Sequence, residues 1–273
     1  SDQSNPTAYI SEIGCHPVSE NMPLPSTMLM PISDIDWTRI FAMRQLAVSS
    51  SDAPPYLLAP EVALLLSYMH DLRERCYFET LWNCGARPNE ALALTPQDFA
   101  FDAAMPYVTL KTLKQRNRGR GRPQKDELPV RNVALWDADY RARMQSLIAT
   151  FGIRKTDLLW PGRRRREDKV PVSVSADTVA RWLNRALENA ARDSVTFSVS
   201  PIVPKTFRHS FAMHILFNRI HPKVLQALMG HKSFKSTEVY TRLFLFDVAG
   251  QHQVSFGFDV EQARQALRLG VLK

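Results

Sequence analysis

Two stretches near the end of the chain decide how it is read: Pro204-Lys205-Thr206-Phe207-Arg208-His209-Ser210-Phe211-Ala212, and Leu228-Met229-Gly230-His231 followed by Glu238-Val239-Tyr240-Thr241-Arg242. Lys205 and Arg208 are three residues apart, so both project from one side of a helix. Tyr240 lies nine residues beyond His231. Working outward, Gly85-Ala86-Arg87-Pro88-Asn89-Glu90-Ala91-Leu92 places an Arg at a helix entrance, with a Glu three residues on that can hold its guanidinium. Val108-Thr109-Leu110-Lys111-Thr112 opens a strongly basic segment.

The pattern around these stretches is mainly helical. Ala59 onward, Asp71 to Cys84, Pro88 to Leu94, Asp137 to Thr150, Ser175 to Ala191, Lys205 to Arg219, Pro222 to Met229 and Ser236 to Phe246 repeat apolar residues at helical spacing or carry cap signals. Residues 106–135 read as a β-hairpin, because Tyr107, Thr109 and Lys111 alternate with Val108 and Leu110. Pro129 and Asn132 blur the facing of its second strand. Its long tip carries Lys114, Arg116, Arg118, Arg120, Arg122 and Lys125. The expected fold class is mixed α+β, mainly α, with a small antiparallel hairpin or sheet on one edge. Three regions are expected: a Pro-rich arm with a short helix over 1–53, a main domain over 54–246, and a tail over 247–273 with an amphipathic segment from Asp259 to Leu267.

Charge narrows the partner. Among 273 residues, 35 Lys+Arg face 27 Asp+Glu, a net +8. Residues 101–170 hold 17 basic and 8 acidic side chains, so the surplus sits in about a quarter of the chain. A concentrated positive region points to a polyanion, nucleic acid first. With 45% hydrophobic residues a real core is expected. No apolar run approaches a membrane span, no signal peptide is visible, and a cytoplasmic protein is expected. Cys15, Cys76 and Cys84 lack metal-site spacing and are too few for a disulfide framework.

The ordered set Arg87, Lys111, Lys205-x-x-Arg208, Gly230-His231 and Tyr240, on a helix–hairpin–helix framework, resembles the tyrosine recombinases (the phage integrase family) over roughly residues 54–246. The tract Tyr56-Leu57-Leu58-Ala59-Pro60-Glu61-Val62 and the hairpin's Arg120-Gly121-Arg122-Pro123 are most similar to the resolvases of F-type conjugative plasmids. The resemblance implies a DNA breaking-rejoining catalytic fold and site-specific recombination, as plasmid or mobile-element resolution or integration. Tyr240 would be the nucleophile, forming a 3′-phosphotyrosyl link and releasing a 5′-hydroxyl. Arg87 and Arg208 would stabilise the non-bridging phosphate oxygens. Lys111 would be the general acid, with Lys114 and Lys125 as competitors. His231 would hydrogen-bond a phosphate oxygen, and Glu90 would orient Arg87. No cofactor and no metal are implied. Duplex DNA target sites, a tetramer on DNA linked through the C-terminal helix, and accessory DNA-bending proteins are the implied partners.

Most members of the family carry His where this chain has Lys205. A Lys cannot take a proton from Tyr unless burial lowers its own pKa strongly, so Lys205 is read as a phosphate donor and the general base is left unassigned. His209 is adjacent, but the motif does not place it in the site. Arg163, Arg164, Arg165 and Arg166 are read as a loop touching backbone phosphates without reading sequence. Only 53 residues precede the main domain, where the family usually has a helical clamp, so that domain is expected to be reduced or missing. Two other functions fit the same residues: a type IB topoisomerase-like nicking and relaxing enzyme, and a non-catalytic DNA-binding regulator that kept the fold.

Overall fold

The computed structural model describes residues 54–112 and 130–248, together with residues 35, 37, 38, 40, 41 and 44. The elements below belong to one compact unit that begins at Asp36. The hairpin tip with Lys114, Arg116, Arg118, Arg120, Arg122 and Lys125, and the segment Asp259 to Leu267, lie outside the described residues.

In chain order the elements are α1 (Ala59–Ser67), α2 (Leu72–Cys84), α3 (Pro88–Leu92), a single 3₁₀ turn (Pro96–Asp98), β1 (Phe99–Ala100), β2 (Tyr107–Lys111), β3 (Val130–Ala134), α4 (Ala138–Thr150), α5 (Ala176–Arg192), α6 (Pro204–Phe217), α7 (Pro222–Met229) and α8 (Lys235–Val248). Local chemistry sets most of the boundaries. The Asp71 carboxylate accepts from the amides of Arg73 and Glu74 and starts α2. Asp137 does the same for Asp139 and Tyr140 at α4. Proline occupies the start of α3, α6 and α7, where its missing N–H has no partner to lose. Gly85 and Gly230 end α2 and α7 in the left-handed conformation, at φ 62° and 66°.

The sheet order is β1-β2-β3, antiparallel throughout, so the hairpin gains a short third strand that the alternation alone did not predict. Val108 faces Val133 and Leu110 faces Arg131 across the ladder. Val108, Leu110 and Val133 are buried, which fixes the inward face of β3 that Pro129 and Asn132 had obscured. Arg131 therefore points the same way as Val133, while Asn132 pairs outward with Thr109 at 2.9 Å.

Helix α2 is the centre of the core. Cys76, Tyr77, Phe78, Leu81 and Cys84 are all buried. Phe78 meets Phe207 of α6 with ring centroids 5.1 Å apart, and the Thr80 hydroxyl lies 2.7 Å from Tyr140 Oη on α4. Glu79, also buried, is paired with Arg75 at 2.6 Å and Arg143 at 2.7 Å. Leu159 and Trp160 run under this core, with Leu159 N–H donating to Leu94 O. From the early segment, Trp37 stacks on His214 of α6, and the Arg44 guanidinium lies 4.0 Å from the Tyr56 ring.

Candidate active site

Two helix ends meet at one side chain. Helix α2 finishes at Gly85 and α7 at Met229, and each leaves backbone carbonyls without intrahelical partners. Arg208, in the first turns of α6, donates through Nη1 to Gly85 O and through Nη2 to Met229 O, the latter at 2.8 Å. Its cation thus sits at two negative helix ends, where the macrodipole favours it. Gly85 makes the approach close enough: a Cβ there would lie 2.3 Å from Phe211 of α6. Burial first, then the charges of Arg87 and Arg131, press the Arg208 guanidinium down to about 9. It stays a cation at neutral pH, and an anion would relieve the crowding.

Arg87 is the N-cap residue of α3. Its amide donates to Glu90 Oε1 at 2.8 Å and its Nη1 to Glu90 Oε2 at 3.3 Å. Arg87 keeps 39% of its side chain exposed, while Glu90 keeps 2%. The stronger partner of Glu90 is Arg131, which donates two parallel bonds of 2.9 and 2.8 Å. Burial alone would raise the Glu90 pKa. The hydrogen bonds and charge of Arg131, with the amide and charge of Arg87, outweigh it and hold the carboxyl below its ordinary range. Arg131 Nε also donates to Leu228 O at 2.8 Å, which ties β3 to the end of α7. Three arginines around one carboxylate leave a local excess of positive charge, which suits a phosphate.

His231 follows the Gly230 turn, and its Nδ1 lies 2.9 Å from the buried Thr237 hydroxyl on α8. With Thr237 donating to Nδ1, Nε2 carries the hydrogen and is left to donate to an anion. Burial, then Arg208, Arg87 and Arg131, hold this imidazole down to about 4, so it is neutral at physiological pH. Tyr240, one turn after Thr237, is 4% exposed, and its ring lies parallel to that of His231 with centroids 6.3 Å apart. Burial raises the phenol pKa, and the charges of Arg208 and Arg87 pull it back. Tyr240 Oη lies 2.7 Å from His209 Nδ1.

Of the residues expected from sequence, Arg87, Glu90, Arg208, His231 and Tyr240 are gathered here. Lys205 is exposed in the first turn of α6, and its charge acts on His209, four residues on. Lys111 leaves β2 toward solvent, its ammonium 3.9 Å from Asp98. With the Lys111 side chain 54% exposed and the separation this long, the pair is weak. Arg163, Arg164, Arg165 and Arg166 are exposed in a loop closed by the Pro161–Ser173 bridge. Three further residues stand at the site. His209, which the motif does not place there, lies four residues after Lys205 on the same helix, and its ring contacts the Tyr240 hydroxyl. Arg131 is a charge on the inward parity of β3, and Thr237 is one turn before Tyr240.

A Tyr hydroxyl beside an arginine cluster, on a mainly helical fold with a three-stranded antiparallel edge, is an arrangement suited to phosphoryl transfer. The family model described as "Phage integrase family" matches residues 55–245. A resolvase from Escherichia coli is 45% identical over 249 residues, covering 88% of this chain and 92% of the relative. A resolvase from Escherichia coli strain K12 is 44% identical over 249 residues, with 88% and 90% covered. Among solved structures, XerA recombinase aligns with TM-score 0.55 at 19% identity, over 75% of this chain and 66% of that one. XerH site-specific recombinase bound to difH substrate aligns with TM-score 0.52 at 20% identity, over 70% and 51%. The chain belongs to the phage integrase family, the tyrosine recombinases, and is a site-specific recombinase.

Proposed function

We propose that this chain cuts and rejoins duplex DNA at specific sites through Tyr240, in the resolution of plasmid multimers. The observation that carries the chemistry is the excess of positive charge beside one Tyr hydroxyl: among the described residues, Arg87, Arg131 and Arg208 gather around the Glu90 carboxylate. Tyr240 Oη attacks the scissile phosphorus, the P–O5′ bond breaks, and a 3′-phosphotyrosyl link and a 5′-hydroxyl result. Arg208, with two of its five N–H groups committed to carbonyls, keeps donors for the non-bridging oxygens. Arg87 and the His231 Nε2–H complete that cradle, and such preorganised donors account for most of the stabilisation in phosphoryl transfer. Lys111 gives the leaving oxygen its proton, and Lys205 donates to phosphate. The covalent link conserves the phosphodiester energy, so resealing needs no nucleotide.

Residues 54–246 act as the catalytic domain, with 1–53 as a short N-terminal region and 247–273 as a tail; the family match over 55–245 supports the first of these. The hairpin tip Lys114–Lys125 and Arg163–Arg166 contact the DNA backbone, consistent with the charge surplus in residues 101–170. The relatives named resolvase support plasmid resolution over simple relaxation. We extend the reading to action in the cytoplasm, to a tetramer on DNA joined through the C-terminal segment, and to accessory DNA-bending proteins. Among the described residues no helix is long and apolar enough to cross a membrane.

The test is a duplex selected for binding from a random pool, nicked beside the cleavage position so that the cut fragment diffuses away. The wild-type chain should accumulate a covalent adduct at Tyr240, and Tyr240→Phe should bind without reacting. A wild type that binds the duplex and forms no adduct would sink the proposal. Two copies of the site on one supercoiled circle should then yield two circles, not merely relaxed topoisomers.

A further inference from the structure

The proposed chemistry needs an acceptor for the phenolic proton, and Lys205 does not provide one: an ammonium holds three N–H donors and no lone pair. Among the described residues, His209 is the group in contact with the Tyr240 hydroxyl that can. His209 Nδ1 lies 2.7 Å from Tyr240 Oη, within ordinary O–H···N distance. The two rings are 6.0 Å apart at 40°, so they meet at their polar edges and do not stack face to face. His209 is held by a well-packed helix: Arg208 before it and Ser210 after it are both buried and both hydrogen-bonded to neighbouring segments.

We infer that His209 is a catalytic residue, the general base that takes the Tyr240 proton during cleavage and returns it during resealing. The inference rests on the reading of Tyr240 as nucleophile. The step balances: the O–H bond of Tyr240 breaks and its proton moves to His209 Nδ1 while the phenolic oxygen bonds phosphorus. The P–O5′ bond breaks, and that oxygen takes a separate proton from Lys111. On resealing, the 5′-hydroxyl gives its proton back to Lys111 as its oxygen bonds phosphorus, the bond from phosphorus to the Tyr240 oxygen breaks, and the imidazolium returns its proton to that oxygen.

The surroundings suit a base that works only when substrate is bound. The groups facing His209 are Lys205 and Arg208 from its own helix, His231 from the turn after α7, and Tyr240 from α8. Burial, then Lys205, Arg208 and His231, hold its imidazole down to about 4, so the ring is neutral. In its Nε2–H tautomer Nδ1 is the acceptor, and the Tyr240 hydroxyl donates to it. A phosphodiester among Arg87, Arg208 and His231 brings negative charge that counters those cations and makes His209 more basic. The same charge relief occurs as the phenol becomes more acidic on bonding phosphorus, so proton transfer is favoured in the reacting complex and not in the free protein.

The experiment measures single-turnover adduct formation on the nicked duplex across pH, for the full chain and His209→Asn, each with native or fluorinated tyrosine at position 240. The wild type should show an acid limb that plateaus toward neutral pH. His209→Asn should bind the duplex as tightly, react ~10²–10⁴-fold more slowly and lose the acid limb. Fluorination, which acidifies the phenol, should restore much of the loss in His209→Asn and change the wild type little. Rates for His209→Asn within a few-fold of wild type, or equal gains from fluorination in both proteins, would overturn the inference. Should His209→Asn fail to bind DNA, the wild type decides. A base at work predicts less than about tenfold gain from fluorination below neutral pH; a rate that follows the phenolate fraction rejects the inference. Loss of the adduct in wild type itself would instead reject the nucleophile assignment beneath it.

Discussion

Arg131 holds the site together without touching the reacting hydroxyl. Its guanidinium neutralises Glu90 through two bonds and its Nε binds the α7 end, so one side chain links the Arg87 turn, the hairpin and the His231 turn. Arg131→Met should leave the Glu90 carboxylate buried with Arg87 as its remaining partner, the amide at 2.8 Å and the guanidinium at 3.3 Å. Removing one partner of such a pair costs about 3–5 kcal/mol. Urea unfolding at neutral pH should register that loss, and Glu90→Gln in the Arg131→Met background should recover part of it. A double variant no more stable than Arg131→Met alone would mean the pair is not the source. This residue was legible only in part. Its charge was visible in the hairpin, but Pro129 and Asn132 hid which way β3 faced, and the partner Glu90 is 41 residues away in sequence.

At the scale of elements, two glycine turns set the distances. Gly230 ends α7 at φ 66°, and a Cβ there would lie 2.9 Å from Arg131 Nη1. Gly85 ends α2 at φ 62° and faces Phe211 at contact distance. Gly85→Ala should therefore suffer twice, from the left-handed backbone (about 1–2 kcal/mol) and from overpacking (about 1–3 kcal/mol). Thermal unfolding should report the sum, and adduct formation at permissive temperature should slow further, because Gly85 O is a ligand of Arg208. A variant as stable as wild type would show that α6 can retreat without cost. The helices themselves were readable from local signals: Asp71, Asp137 and Gly85 cap where the sequence put the boundaries. Strand β1 was not readable, because two residues carry no periodicity and pair only when Val108 and Tyr107 are brought alongside.

Over the whole molecule, half-buried histidines make the fold sensitive to acid. His214 packs between Trp37 at 6.3 Å and Trp82 at 4.8 Å, and burial takes its pKa down to about 4. The unfolded chain then binds more protons than the folded one between about 6.5 and 4. Stability from this residue is full above pH 6.5 and is lost as pH falls toward 4, by up to about 3 kcal/mol. His209 and His231 act in the same direction. In urea titrations at neutral pH and at pH 4.5, His214→Phe should lose less stability than wild type. Equal losses would assign the acid sensitivity elsewhere. The contact with Trp37 also packs the short helical stretch expected after the Pro-rich arm against α6.

The sequence alone determined the helical plan, the basic hairpin and the ordered set Arg87, Arg208, His231 and Tyr240, because caps, periodicity and short motifs are local along the chain. Only the tertiary structure decided which charges neutralise one another and which group touches the Tyr240 hydroxyl. Those relations join positions 31 to 123 residues apart, as in His209 with Tyr240 and Arg208 with Gly85. Burial then sets their electrostatics, by removing the water that would otherwise make every such pairing weak.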